Sequence, residues 1–212
     1  MYALQATYFY ITDKTVNERT HLNFSSDRYS INGASGTKCS CGPKLVVGLT
    51  IDQLRTDYIE AFSALYGERG FKRLWKEGRI YLNAEYDFIN VDKSSSVAAI
   101  YSGTTPYTNG IVGDNWMDRA TLRVINCVDD NNFMGIYTSE STSPAKLKVS
   151  NLSDELAVAT QGVAEVYSIA PTREMAVLAA GHAAKGAFWI NDETGNEWKY
   201  ILWHFSFLDF YL

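Results

Sequence analysis

The chain has 212 residues, 46% of them apolar and 14% aromatic, which suffices for one domain with a substantial buried core, so it reads as globular. Lys and Arg number 19 against 24 Asp and Glu, a net charge of -5 with no basic run, which excludes the electrostatic footprint of nucleic-acid binding but not a locally positive site for a phosphate-bearing small molecule. No stretch approaches the roughly 20 apolar residues of a membrane span, and the first residues lack the basic start and apolar run of an export signal.

Residues 1–42 are polar and irregular and close on Asn32-Gly-Ala-Ser-Gly36, which is linker chemistry. They read as a poorly ordered arm. Cys39 and Cys41 lie too close for an ordinary disulfide or a C-x-x-C zinc knuckle, and together with Cys127 they define no disulfide framework. The texture changes at Lys44-Leu-Val-Val-Gly-Leu-Thr-Ile51, a β-branched apolar run of the kind that forms a strand buried on both faces of a parallel sheet.

Leu54, Tyr58, Phe62 and Leu65 then share one helical face, and a second short helix through Phe71, Leu74 and Trp75 stops at Gly78; both faces read as core. Residues 80–86 alternate like a strand. Residues 94–101 are small and apolar and predict a helix that starts in a polar loop, while the Gly-, Pro- and Asn-rich stretch 104–118 reads as loop. An extended stretch is expected near 122–128. Ser143-Pro144 has the form of a helix cap with proline at the first position, and Leu152, Leu156 and Ala159 space as a helical face ending at Gly162.

A strand over 164–169, a short helix from Pro171, a strand over 187–191 and a turn at 193–196 complete the pattern. Strand and helix alternate, which predicts an α/β fold: a mostly parallel sheet with helices on both faces. The tail 199–212 is far more apolar than a domain end requires, and it reads either as an edge element on the sheet or, preferably, as the end of a cut or frame-shifted chain. The expected organisation is therefore an arm over 1–42, a partial α/β domain over 43–198 and an atypical apolar tail.

The run Pro43-Lys-Leu-Val-Val-Gly-Leu-Thr-Ile-Asp-Gln-Leu-Arg-Thr-Asp-Tyr58 resembles the opening strand of the alkaline-phosphatase superfamily, type I phosphodiesterase/nucleotide pyrophosphatase branch. Gly70-Phe-Lys-Arg-Leu74, Ile100-Tyr-Ser-Gly-Thr-Thr-Pro-Tyr-Thr-Asn-Gly-Ile-Val-Gly113, Asn115-Trp-Met-Asp118 and Ala180-Gly-His-Ala-Ala-Lys-Gly-Ala-Phe-Trp189 follow in the family's order. The resemblance implies an incomplete alkaline-phosphatase-like α/β domain, a phosphate ester as the small-molecule partner, zinc as cofactor with two ions per site, and a periplasmic or secreted location.

It also implies roles for particular residues. Asp52, at the end of the first strand, takes the place of a zinc ligand, although an aspartate there also serves as a helix cap. The family's nucleophile is a Thr or Ser nine residues before a later T-G or S-G pair, and counting back from Ser102-Gly103 lands on Lys93. A protonated lysine does not attack phosphorus. A loop slipped by one residue would offer Ser94, the best of three serines that otherwise act as caps.

Asp114 and Asn115 stand where the family places an Asn that donates to a phosphoryl oxygen. A Lys-x-Arg phosphate contact of some relatives is replaced by Thr172-Arg-Glu174, which leaves Arg173 displaced by one position. His182 resembles a scaffold position. The later Asp-x-x-x-His, Asp-His and His ligands of the zinc pair have no counterpart, since the three histidines are His21, His182 and His204. The expectation is a relative of zinc-dependent phosphomonoester and phosphodiester hydrolases that is truncated and weakly active or inactive. The alternative is a non-catalytic anion-binding or interaction domain that keeps the fold.

Overall fold

A computed structural model of the chain describes residues 6–12, 45–81, 84, 86–89, 92–136, 138–190 and 198–202. Cys39, Cys41, His21, His204, the turn at 193–196 and most of both terminal segments lie outside them. Within the amino-terminal segment, β1 (Ala6–Thr12) pairs antiparallel with β2 (Leu45–Ile51). Three helices follow, α1 (Thr56–Ala61), α2 (Phe71–Glu77) and α3 (Lys93–Ser102). After the one-turn α4 (Pro106–Asn109) come two antiparallel pairs, β3 (Asn115–Asp118) with β4 (Arg123–Asn126) and β5 (Asp129–Met134) with β6 (Ser141–Thr142).

The chain then builds its main layer. Helix α5 (Leu152–Ala159) precedes β7 (Tyr167–Ala170), α6 (Arg173–Ala180) and β8 (Gly186–Ile190), a β-α-β unit whose strands pair in parallel. Strand β9 (Trp198–Leu202) adds antiparallel to the other edge of β8, so residues 199–202 of the apolar tail segment take part in the sheet. The α/β class is therefore as the sequence predicts. Among the described strands the parallel pairing is β7 with β8, and the other pairings are antiparallel.

The core sits where α3 and α6 pack on each other and α6 packs on β7 and β8. Val177 and Leu178 are fully buried, each stabilising the fold by about 1.5–3 kcal/mol relative to exposure. Small residues set the spacing: Ala176, Ala180, Ala184 and Ala187 let the helix and the sheet approach closely, and Trp189 fills the remaining width. Helix α3 is buried from Ser94 to Ala99 with no polar stripe, as expected for a helix covered on all sides. Ile111, Cys127, Val128 and Leu147 close the core opposite the sheet.

Several expectations need correction. Strand β2 is not buried on both faces: Leu45, Val47 and Leu49 are exposed, and a cavity of about 370 Å³ lies between Val46, Gly48 and Thr50 on one side and β7 on the other. Helix α1 ends at Ala61, so Tyr58, Phe62 and Leu65 do not form a buried stripe; Ile59, one position out of that phase, is the buried residue. Ile80, Tyr81, Ala84 and Tyr86 belong to no strand, because alternation without a partner edge forms none. The expected loop over 104–118 contains α4 and β3.

Ser143-Pro144 opens a turn instead of a helix: Ser143 Oγ accepts from the Ala145 amide at 3.1 Å, and Leu147 N donates to Pro144 O at 2.8 Å. The helix cap is Asn151. Its Oδ1 accepts from Asp154 N at 3.0 Å, Asp154 Oδ2 accepts from Asn151 N at 2.9 Å, and Asn151 Nδ2 donates to Leu178 O at 3.1 Å. One side chain thus caps α5 and ties it to the end of α6.

That close approach requires glycine at position 181, where φ is +75° and a Cβ would lie 2.4 Å from Asn151 Oδ1. Gly181→Ala should lose the cap and force a left-handed alanine, at a combined cost of at least about 2 kcal/mol. Gly162→Ala, with φ of +79° and open space around it, isolates the backbone part, about 1 kcal/mol. Urea unfolding of the two variants checks this, and equal losses would remove the Asn151 contact from the account.

Candidate functional site

The start of α3 gathers the residues that the sequence singles out. Asp92 caps the helix, accepting from Ser95 N at 2.7 Å, while the Asp92 amide donates to Ser95 Oγ at 3.0 Å. The second oxygen of Asp92 accepts from Asp114 N at 2.8 Å, which draws the loop before β3 onto the helix. Gly113 permits this approach, since a Cβ there would meet Asp92 Oδ2 at 2.9 Å.

Asp114 in turn faces Ser94. Its Oδ1 accepts from the Ser94 hydroxyl at 2.5 Å and from the Ser94 amide at 3.2 Å. Ser94 has no exposed surface, and neither its hydroxyl nor those of Ser95 and Ser96 open to solvent. Lys93, one residue earlier, is exposed. The slipped-nucleophile reading therefore meets a hydroxyl that is enclosed and committed to a carboxylate.

Cys127 lies behind this pair, with its Sγ 3.5 Å from Ser94 Oγ and its amide donating to Asp114 O at 2.9 Å. Burial pushes its thiol up to about 12, against a smaller opposing effect of the Ser94 hydrogen bond. Next to it Asn126 bridges two elements: Nδ2 donates to Asn115 Oδ1 at 3.2 Å and to Glu174 Oε1 at 2.8 Å. Arg173 completes the cluster. Its guanidinium, with the side chain 13% exposed, pairs with Asp129 at 2.9 Å and lies 3.7 Å from Glu174.

Ser94, Asp114, Asn115 and Arg173 are thus brought together through Asn126, Cys127 and Glu174. The electrostatics of the cluster run against a phosphate anchor. Arg173 spends its charge on two carboxylates, and Asp114 offers an acceptor where an anion needs a donor. Asp52 lies in the turn after β2, and its charge acts on the Tyr86 phenol, which hydrogen-bonds Ser96 of α3. Burial raises the Tyr86 phenol, a hydrogen bond with Ser96 opposes this, and the Asp52 charge adds to the rise.

Tyr86, Asn126 and Glu174 carry no signal in their own segments that singles them out, because each acquires its role from residues 10 to 50 positions away. Among the described residues no three His, Cys, Asp or Glu side chains group closely enough to hold a metal ion. A structural zinc site takes four ligands and a catalytic one three plus water, so the described surroundings of Asp52 do not fit zinc.

The profile of the family described as type I phosphodiesterase / nucleotide pyrophosphatase matches residues 46–206. The chain belongs to that family. It is 40% identical over 157 residues to the alkaline phosphatase PhoV of Synechococcus elongatus, a match covering 73% of this chain and 28% of the relative. It is 33% identical over 167 residues to the alkaline phosphatase PafA of Elizabethkingia meningoseptica, covering 77% of this chain and 31% of the relative. A crystal structure of PafA superposes with a TM-score of 0.65 at 29% identity, over 69% of this chain and 29% of that one. The chain therefore spans about three-tenths of the length of these alkaline phosphatases, and the alkaline-phosphatase-like α/β fold is shared over that part.

Burial of Cys127 gives a direct check on the enclosed pocket. In a Cys39→Ser/Cys41→Ser background, alkylation of Cys127 near neutral pH should run at least about a hundred-fold slower in the native chain than in denaturant, where a thiol sits near 8.5. Native labelling at the denatured rate would show that the Ser94 pocket is open.

Proposed function

We propose that this chain is an alkaline-phosphatase-family domain that, as it stands, hydrolyses phosphate esters weakly or not at all. The observation that carries this reading is the full burial of Ser94, with its hydroxyl given to Asp114, beside an exposed Lys93 at the position where the family holds its nucleophile. Activation of a serine needs a base or a metal to take up its proton while the oxygen faces the substrate. Asp114 holds the proton side of Ser94, but no surface leads a phosphorus atom to the oxygen.

The other roles follow the same direction. Asp52 is the residue that would hold the family's metal, and zinc would supply Lewis-acid stabilisation and activated water there. Among the described residues no group of three His, Cys, Asp or Glu side chains forms around it. Arg173 is neutralised in place. Asn115 is exposed on β3 and remains the best donor for a phosphoryl oxygen. A phosphate ester remains the ligand class, and a periplasmic or secreted location the expected setting. No helix among the described residues is long and apolar enough to cross a membrane.

A second reading is favoured by Lys93 alone: an exposed cation at the first position of a ten-residue helix can hold an anion without attacking it. It treats the chain as a non-catalytic anion-binding domain. Two measurements separate the readings. Hydrolysis of nitrophenyl phosphate monoester and diester with added zinc should stay at the level of a Ser94→Ala control, and turnover clearly above that control would sink the inactive reading. Calorimetric titration with a phosphate ester should show binding that weakens at least about tenfold in Lys93→Ala if the second reading holds; equal binding would discard it.

A further inference from the structure

Outside the site, one cluster places a titratable ring between two groups that can only accept. His182 Nδ1 lies 3.1 Å from Asp154 Oδ2, and its Nε2 lies 3.0 Å from the carbonyl oxygen of Leu147. A neutral imidazole has one N–H and one lone pair, so either tautomer turns a lone pair on an oxygen at one end. Only the doubly protonated ring satisfies both contacts. The Asp154 carboxylate is itself held in place: Oδ1 accepts from the amides of His182 at 2.6 Å and Ala183 at 2.7 Å, and Oδ2 accepts from Asn151 N.

We infer that His182, Asp154 and Leu147 form a proton-dependent latch that bolts the 143–150 segment to the corner between α5 and α6 and loosens when the ring loses a proton. The segment has reason to respond. Leu147 is a core residue, and the next amide, Lys148 N, donates to Asn109 O at 2.8 Å, so movement of the Leu147 carbonyl is passed to the end of α4. The His182 side chain is 41% exposed and can exchange its proton without unfolding, whereas that of Asp154 is 8% exposed.

The charged groups of the surrounding elements are turned elsewhere. Lys146 Nζ donates to the Asp129 carbonyl, the Lys148 chain lies against Gly110, Lys185 pairs with Glu165, and Glu155 accepts from Ser150 Oγ at 2.6 Å. Asp154 is the charge that faces the ring, with the carbonyls of Leu147 and Pro144. The hydrogen bond to Asp154 raises His182 above its ordinary value against the opposing effect of burial. Burial pulls Asp154 up, and the hydrogen bonds from His182, Asn151 and Ala183 more than reverse it, leaving it low.

The signs set the window. A raised histidine contributes stability that is complete below its unfolded value, ~6.5, and lost as pH climbs through the higher folded value; a lowered aspartate contributes stability lost only as pH falls below its unfolded value, ~3.9. The latch is closed between the aspartate's range and ~6.5, and it opens as pH climbs through the raised value of His182.

The test uses the full chain as His21→Gln/His204→Gln, which leaves the His182 ring as the single imidazole signal in a proton NMR titration. Hydrogen exchange of 143–150, expressed as protection factors, is followed over the same pH range. His182 should titrate above ~6.5, and the protection should fall at least about threefold with the same midpoint. His182→Gln should abolish that pH-dependent fall, and Asp154→Asn should move the midpoint down. A midpoint at or below the ordinary value, or a fall that persists in His182→Gln, overturns the latch. Should either variant fail to fold, non-coincident midpoints in the parent chain overturn it equally.

Discussion

The carboxylate of Asp114 at the start of α3 is the constraint on which the candidate site turns. A helix amino-terminus presents unpaired amides and the positive end of the macrodipole, which makes it a natural seat for an anion. In this chain the seat is taken from within. Asp92 receives the Ser95 amide, Asp114 receives the Ser94 amide and hydroxyl, and the Asp92 carbonyl receives Ser96 N. The Ser94 and Ser95 amides are thus already satisfied by side chains that also hold the loop of residues 111–114 in place. Local stability and substrate binding draw on the same few amides, and here stability has them.

The same device recurs at α5, with a different outcome. Asp154 completes a capping box with Asn151 and also takes the amides of His182 and Ala183, so one carboxylate joins a helix start to the loop before β8. The partner here is a titratable ring, where at α3 it is a serine. Hence the α5 corner depends on the protonation of a ring, whereas the α3 corner is closed by a serine that does not titrate. At Arg173 the pattern is charge against charge: Asp129 and Glu174 neutralise the guanidinium. Ser94, Asp114 and Arg173 are each turned toward another part of the chain, while Lys93 and Asn115 stay exposed.

The main layer is legible in the sequence for a physical reason. The strand at 186–190 and the helix before it have local patterns that match their burial, whereas β7 turns Ser168 and Ala170 inward and leaves Tyr167 and Ile169 exposed. Helix α3 is legible through its small residues and its polar start. What the sequence conceals is pairing across distance: that Ser94 would meet Asp114, that Asn126 would link Asn115 to Glu174, and that Tyr86 would stand near Asp52. Motif spacing brings the right residues to one place but says nothing about which of them consume each other's hydrogen bonds. Ser143-Pro144 misleads similarly. Its cap chemistry is real, but the hydroxyl closes a two-residue turn, and the helix waits for Asn151.

Strand β2 shows where pattern and packing part. Its Leu-Val-Val-Gly-Leu-Thr-Ile run has the composition of a strand with both faces covered, yet Leu45, Val47 and Leu49 face solvent and a cavity separates it from β7. Thr50 Oγ1 to the Tyr101 hydroxyl, at 3.3 Å, is a direct link between that strand and α3. The exposed faces of Phe62, Leu65 and Trp75 tell the same story for the helices that follow. Apolar side chains in a buried-strand pattern stabilise a fold only when something covers them, at roughly 25 cal/mol per Å² removed from water. The described residues do not supply that cover, and the alkaline phosphatases matched by this chain have about seven-tenths of their length beyond the matched part. The physical consequence is that β2 and the delivery of Asp52 at its end are the least supported elements of the site, while Ser94, Asp114 and Arg173 rest on or against the packed core.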